Sequence, residues 1–464
     1  MKHISLGVFE MLNPNNGLPT WTHPDAKAKS WDQMGYWVQT AKLLDDAGFD
    51  FLFFADTYGF PSIAGSVPDE VMRHGIQFPG LDPKLLIGAL AQATSRLGFV
   101  VTSPTTVEHP YATARRFASL DHYTAGRIGW NVVTGSSQTT TDRLFGIEDQ
   151  QATHDERYAR AEEFLQICSA LWETSWEEDA EQRDQVTGTY ADPEKVHEVS
   201  HDGRFYRCHG PFAVAPGPQR TPVLFQAGTS SRGRAFAAAH AEAVFIQGQN
   251  APQAADQVAS IRKSAGQVGR APESIKVISG MTVVLGASHA HAQARREELE
   301  ALYDPADAAV LFAGMTGIDL RRLESSAPVT EAVAAGLDSQ QGQTLIDRYV
   351  RPGAPVPTIG EVLDRFRLQA LRGFQLTGTA EEVAQQIEEL VEATDIDGFM
   401  LEPTFGGSAA FAEFAETVAP LLRQRGLLPG LPTQDSPSLT LRERVIGAGP
   451  HRSLAPESKE SGQS

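Results

Sequence analysis

The run IGWNVV (128–133) is apolar except for one amide, Asn131, and it leads into Thr134, Gly135 and Ser136. An amide buried in such a run costs free energy unless it is hydrogen-bonded. Asn131, with Thr134 at the end of the run, is therefore a candidate for gripping a polar ligand. The same pattern recurs along the chain. Asp56 closes FLFFAD, Thr102 lies in FVVTS, Glu402 closes DGFMLE, and Gln226, Gly228, Thr229 and Ser230 stand in FQAGTSS. These side chains are hydrogen-bonding equipment, not nucleophile–base pairs. There is no HExxH, no G-x-S-x-G and no Walker loop; the 13 histidines are scattered, and the only cysteines are Cys168 and Cys208. Neither a metal centre nor a serine-hydrolase triad is expected. What remains suits a large polar cofactor that brings its own reactivity.

Two further stretches extend this. In QAGTSSRGRAFAAAHA a strand-like run gives way to small hydroxyl residues and then to a helix pattern. The free amides at that helix start, with Thr229, Ser230 and Ser231, fit a phosphate, and Arg232 and Arg234 add charge. A plain serine N-cap fits the same residues. In THDERYARAEEF, Thr153 and Glu156 have capping-box spacing. His154 then falls in the first turn and Tyr158 one turn on, where both can meet an anion at the positive helix end. A packing role for this pair is the alternative. His109, before a helix-starting Pro110, reads as structural or as a rim residue.

The elements that must carry these residues alternate. Residues 31–49 have helical spacing (Met34, Trp37, Ala41, Leu44) and stop at Gly48. Residues 50–56 form a near-continuous apolar strand, the mark of burial on both faces. Strand-like runs also occupy 3–10, LGFVVTS, RIGWNVVTG, 222–228, 242–248, IKVISGMTVVLG and 397–403, with helix patterns between most of them. Eight such units predict an α/β protein built as a (β/α)8 TIM barrel, whose site lies at the C-terminal strand ends. An open doubly wound sheet is the alternative. The polar residues above stand at those strand ends. Two stretches near 174–221 and 304–377 break the repeat and read as long insertions, which commonly form lids or oligomer contacts. The expected organisation is a single barrel domain over 1–430. A C-terminal extension follows over 431–464, partly disordered by its Ser, Pro and charge content.

The formal net charge of -19 opposes binding to nucleic acid phosphates and to anionic membranes. No run approaches the ~20 apolar residues of a membrane span, and MKHISLGVFEMLNPNN has no apolar core of signal-peptide length. A soluble, cytoplasmic protein with reduced cysteines is expected.

SLDHYTAGRIGWNVVTG, HDERYARAEEFL and QAGTSSRGRAFAAAHAEAVF, in that order, resemble the flavin-dependent monooxygenases of the bacterial luciferase-like superfamily. The nearer likeness is to the group of nitrilotriacetate, dibenzothiophene sulfone and long-chain alkane monooxygenases. It extends from FEM near the N-terminus to TLRERV near the C-terminus. The resemblance implies a luciferase-like barrel with insertions and reduced FMN (FMNH2) supplied by a separate NAD(P)H:flavin reductase. It implies O2 as co-substrate, forming a flavin C4a-(hydro)peroxide that passes one oxygen atom to a small organic molecule while the other leaves as water. Asp56 and Thr102 match isoalloxazine contacts. His154, Tyr158 and Ser230 match contacts on the ribityl-phosphate side, with Thr229 beside them. Gln77, in HGIQF, matches a pocket glutamine of the alkane enzyme. Asn131, Gln77 and Ser136 are the residues expected nearest the reaction. A homodimer or homotetramer is expected.

The chain departs from its relatives where substrate would sit. The loop after the first strand reads Leu12-Asn13-Pro14-Asn15-Asn16, where several relatives carry Cys or His. Gly135-Ser136 replaces a Ser-His pair of the alkane enzyme, and Met315 stands where a relative has an imidazole. The substrate is left open among an organosulfur compound, an alkane and a carboxylated amine. A deazaflavin-dependent oxidoreductase of the same superfamily and a non-catalytic flavin-binding protein are the alternative functions.

Overall fold

Strands buried on both faces need continuous apolar runs, and those runs form a closed cylinder here. The computed structural model describes residues 2–452 apart from Ala64, Ser136, Ser137, 149–151, Thr229, Gly317, 331–348, 351–354, 370–372, 434 and 435. The barrel strands are β1 (Ser5–Met11), β2 (Phe51–Ala55), β3 (Gly98–Pro104), β4 (Ile128–Val133), β5 (Val223–Gln226), β6 (Ala243–Ile246), β7 (Lys276–Leu285) and β8 (Gly398–Leu401). Neighbours pair in parallel, and β8 returns to β1 with Ser5 beside Gly398. That closure rules out the open sheet. The outer helices are α1 (Met34–Asp46), α2 (Ile87–Ala93), α3 (Pro110–Thr124), α4 (His154–Glu173), α5 (Ser231–His240), α6 (Ala251–Gln267), α7 (Ala380–Thr394) and α8 (Ala409–Gln424). The expected (β/α)8 barrel is the observed one.

Strand alternation divides the core in two. Leu52, Phe54, Val101, Trp130 and Phe399 face the helix layer. Phe51, Phe53, Val100, Phe225, Phe245 and Met400 fill the lumen. Each such burial is worth about 1.5–3 kcal/mol relative to exposure. Local signals set the helix ends. α1 stops before Gly48, held at φ 77°. The Asp45 carboxylate of α1 accepts the amides of Ser95, Arg96 and Leu97 at 2.6–2.9 Å, tying the helix to the start of β3.

The excursion after α4 contains two antiparallel hairpins, Glu181–Asp184 with Thr189–Ala191 and Glu198–Asp202 with Arg207–Pro211. The excursion after β7 begins earlier than the expected boundary at 304. Helix His289–Ala301 precedes helix Pro305–Thr316, and it escapes sequence patterning because Ala292 and Leu299 are its only buried residues. The excursion returns through helix Ile359–Gln369 to a ninth strand, Phe374–Gly378, paired with the second half of β7 outside the closed cylinder.

Residues beyond 430 contribute to the barrel. Thr440 caps a short helix, Leu441–Val445, through a capping box with Glu443. Leu441 enters the lumen from the N-terminal end. A Cβ at Gly98 or Gly129 would lie 2.5 or 3.2 Å from its methyls, so both glycines make room for it. The fully buried Arg442 guanidinium meets Glu242 at 2.7 Å and donates to the Thr221 carbonyl at 2.8 Å. Residues 453–464 lie outside the described residues.

Candidate active site

Side chains two positions apart on a strand share a face. Past the lumen residues Phe53, Val100, Gly129, Phe245, Gly280 and Met400, the next inward positions toward the C-terminal mouth are Ala55, Thr102, Asn131, Gln247, Thr282 and Glu402. A polar layer therefore sits on an apolar floor. That floor is largely aromatic: Phe9 stacks on Phe53 and on Phe245 at 5.6 and 6.0 Å.

Thr102 and Asn131 are register partners on β3 and β4. Thr102 Oγ1 donates to the Phe54 carbonyl at 3.0 Å and accepts from Asn131 Nδ2 at 2.9 Å. Asn131 is 5% exposed, and its Oδ1 has no partner among the described residues. An unmet buried acceptor costs about 1–3 kcal/mol. A ligand donor at this atom would recover that cost.

Asp56 sits at the rim after β2. Its Oδ2 lies 3.5 Å from the buried Lys84 ammonium, which also reaches Asp82 at 3.3 Å and lies 5.5 Å from the Tyr58 ring centre. Burial pushes the Asp56 carboxyl up, and Lys84 opposes it. Tyr58 donates to Glu108 at 2.5 Å, and Arg116 holds Glu108 at 2.9 Å. Burial and then Glu108 push the Tyr58 phenol up. These charges are already partnered, so this part of the rim offers polarity with Lys84 and Arg116 both held by carboxylates.

Gln77 has φ 52° and turns back over the loop after β1. Its Nε2 donates to the Asn16 carbonyl at 3.3 Å and lies 3.7 Å from Met11 Sδ. That loop is pinned from below. Lys27 pairs with the buried Glu10 and donates to the Met11 carbonyl at 2.9 Å and to Asn16 Oδ1 at 2.7 Å. Burial lowers the Lys27 ammonium, against Glu10 and then Glu402. Across the mouth, Phe60 exchanges two backbone bonds with the Thr140 hydroxyl at 3.1–3.2 Å. Gly314 packs so close to Pro61 that a Cβ there would approach to 2.7 Å. The insertion after β7 thus covers this side of the mouth.

The phosphate candidate lies beside β5. Ser230 caps α5, accepting from the Gly233 amide at 3.0 Å, and its hydroxyl is 3.4 Å from His154 Nε2. The His154 ring sits 5.0 Å from that of the buried Tyr158. A Cβ at Gly228 or Gly233 would come within 3.0 or 2.8 Å of the Tyr158 hydroxyl, so the two glycines let the backbone pack closely against it. Arg232 is instead paired with Glu162 at 3.0 Å.

The structure thus joins Thr102 to Asn131, and His154 and Tyr158 to Ser230. It places Asp56 and Gln77 at separate points of the rim. Ser136 and Thr229 lie outside the described residues. His109 caps α3 by accepting from the Tyr111 amide, a structural role. Gln247, Thr282 and Lys84 escaped the sequence reading; two-residue alternation carried beyond Phe245 and through β7 would have found the first two. Met315, in helix Pro305–Thr316, packs with that helix's apolar cluster. Among the described residues no cluster of three His, Cys, Asp or Glu side chains could hold a metal, and no helix is long and apolar enough to cross a membrane.

A polar layer at the C-terminal strand ends of a closed (β/α)8 barrel stands where barrels of this architecture carry their sites. Comparison with known proteins places the chain more narrowly: it belongs to the luciferase-like monooxygenase family, whose profile matches residues 16–397. It is 37% identical to a long-chain alkane monooxygenase of Geobacillus thermodenitrificans, over 97% of this chain and 96% of that one. It is 31% identical to nitrilotriacetate monooxygenase component A of Aminobacter aminovorans, over 98% of each chain. A crystal structure of riboflavin lyase with modified FMN and riboflavin superposes with a TM-score of 0.90, at 39% identity over 97% of this chain and 98% of that one. The protein is a flavin-dependent enzyme of the monooxygenase class.

Proposed function

We propose that this chain is the oxygenase component of a two-component system. It takes FMNH2 from a separate NAD(P)H:flavin reductase and inserts one atom of O2 into a small organic substrate, the other atom leaving as water. The observation that carries the reading is the start of α5, where Ser230 caps the helix with its hydroxyl 3.4 Å from His154 Nε2 and Tyr158 packs against Gly228 and Gly233. A helix start of this kind supplies the amide and hydroxyl donors that a phosphate monoester takes, and it follows β5 of the barrel whose strand ends carry the polar layer. The name "component A" of one relative supports the separate reductase.

The residues present fit the cofactor. Ser230, His154 and Tyr158, with Thr229, would hold the phosphate end. Asp56, Thr102 and Asn131 would meet the ring. Bound reduced flavin supplies the electrons that activate O2. The protein would bind and orient that group, and the Phe60–Thr140 contact and the packing of Gly314 on Pro61 would help shield it from water. Gln77 would face the substrate side. An organosulfur compound, an alkane and a carboxylated amine remain the substrate classes.

Anaerobic titration with FMNH2 and with a reduced deazaflavin tests the cofactor. Tight binding of FMNH2 is expected; binding of deazaflavin alone would overturn the reading. A substrate screen with reductase-supplied FMNH2, scored by oxygenated product and not by NADH consumption, then tests the reaction.

A further inference from the structure

Met11 is the last residue of β1. It stands two positions past Phe9 and in register with Ala55 of β2, so its side chain turns inward. A thioether thus joins the inward layer that holds Thr102 and Asn131. Its backbone is held on both sides: the amide donates to Asn16 Oδ1 at 3.2 Å, and the carbonyl accepts from Lys27 at 2.9 Å. Two primary amides converge on the sulfur. Asn13 Nδ2 and Gln77 Nε2 each lie 3.7 Å from Sδ. Gln77 gives its other hydrogen to the Asn16 carbonyl at 3.3 Å. Met11 is 8% exposed and Asn13 3%, so this cluster is shielded from bulk solvent.

A thioether is a weak acceptor, so it serves this pair of donors poorly. A sulfoxide would serve them well, because its S–O bond is strongly polar. Among the inward side chains of this layer, the Met11 thioether is also the one whose lone pair takes up an electrophilic oxygen atom. The activity proposed above activates O2 at this mouth. We propose that Met11 is a self-oxidation site: in the absence of substrate the enzyme passes oxygen to Met11 Sδ, and the amides of Asn13 and Gln77 hold the sulfoxide. The proposal rests on the flavin reading above. The step needs no further reagent. The sulfur lone pair forms the S–O bond, the O–O bond breaks, and FMNH2 supplies two electrons and two protons. Thioether, O2 and FMNH2 thereby become sulfoxide, FMN and water. The product marks a molecule that has turned over without substrate, and a methionine sulfoxide reductase would restore the thioether.

Peptide mass mapping tests this. The wild-type protein is supplied with FMNH2 by a flavin reductase under heavy-isotope O2, with catalase present and no substrate. The Met11 peptide should gain about 18 Da, one heavy oxygen atom. Met34 and Met72, 57% and 56% exposed, should stay unlabelled. Peroxide diffusing through solution oxidises exposed methionines first. Label on Met34 and Met72 equal to that on Met11 would therefore overturn the proposal, as would an unlabelled Met11. Thermal melts read the part played by the amides. A sulfoxide left in a core without partners lowers stability. Wild type oxidised at Met11 should instead melt at or above the unoxidised protein, and oxidised Asn13→Leu should melt several degrees below its own unoxidised form. A lower Tm for oxidised wild type, or no fall in the variant, would overturn the hold by the amides. Absence of FMN binding by the wild-type protein in both redox states would instead overturn the flavin reading itself.

Discussion

Replacing Ser230 by alanine separates the two jobs that the structure gives this residue. The hydroxyl caps α5 through the Gly233 amide at 3.0 Å, and its own proton remains available beside His154. Loss of the cap costs about 1 kcal/mol. In a chain of this length that is a shift in Tm of only about 1 °C. Loss of a hydroxyl donor to a phosphate dianion costs more, about 1.5–3 kcal/mol, because one partner is charged. The Kd for FMN should therefore rise about tenfold to a hundredfold. Riboflavin lacks the phosphate and should bind Ser230→Ala and wild type alike. Fluorescence titrations with both ligands, beside a thermal melt, read the two jobs independently. Ser230→Thr keeps the cap and the hydroxyl and should stay near wild type. An FMN Kd within about twofold of wild type, or an equal loss for riboflavin, would mean that Ser230 is only a helix cap.

Three further outcomes follow from the packing. Leu441→Ala empties a fully buried site in the barrel floor and should destabilise the protein by about 2–5 kcal/mol in urea titrations; a loss below about 1 kcal/mol would show that the floor does not depend on it. Arg442→Met strands the buried Glu242 and should cost about 3–5 kcal/mol, most of it recovered in the Glu242→Leu/Arg442→Met double variant; no recovery would mean that packing and not charge is the loss. Burial lifts the Asp121 carboxyl to about 6, against the Gln219 donors and Arg442. Its folded value lies above the unfolded one, so the stability it contributes is complete below about pH 4 and is lost as pH rises through about 6. Wild type should lose about 3 kcal/mol relative to Asp121→Asn across that window, and parallel stability profiles would refute the assignment.

The barrel was legible because parallel strands buried on both faces leave runs such as FLFFA and IGWNVV, and because each run is followed by a helix pattern. Asn131 was legible for the same reason, as a polar group inside such a run. The mouth was only partly legible. Gln247 lies past the apolar part of its strand, and Lys84 reaches Asp56 from a single 3-10 turn, Pro83–Leu85, where a lysine reads as an ordinary solvent-facing residue. Helix His289–Ala301 looks polar because most of it is exposed. The C-terminal helix misled in the opposite way. LRERV is charged and follows a Ser/Pro-rich stretch, yet Arg442 is buried, satisfied by carbonyls and Glu242 that come from distant parts of the chain. No local pattern can announce a partner that far away.

The floor contact has a consequence during synthesis. Leu441 fills space left by Gly98 and Gly129, and β8 must still pair with β1, so the first strands wait for the last residues. Until then the nascent chain carries an unpaired β1 edge and an open apolar lumen, both prone to association. Closure is a long-range event that comes after most helices and strand pairs have formed, and contacts of that separation are slow to make. A ribosome-bound chain stalled before residue 440 should remain protease-sensitive and chaperone-bound, and resistance should appear only when the Thr440–Val445 segment clears the exit tunnel.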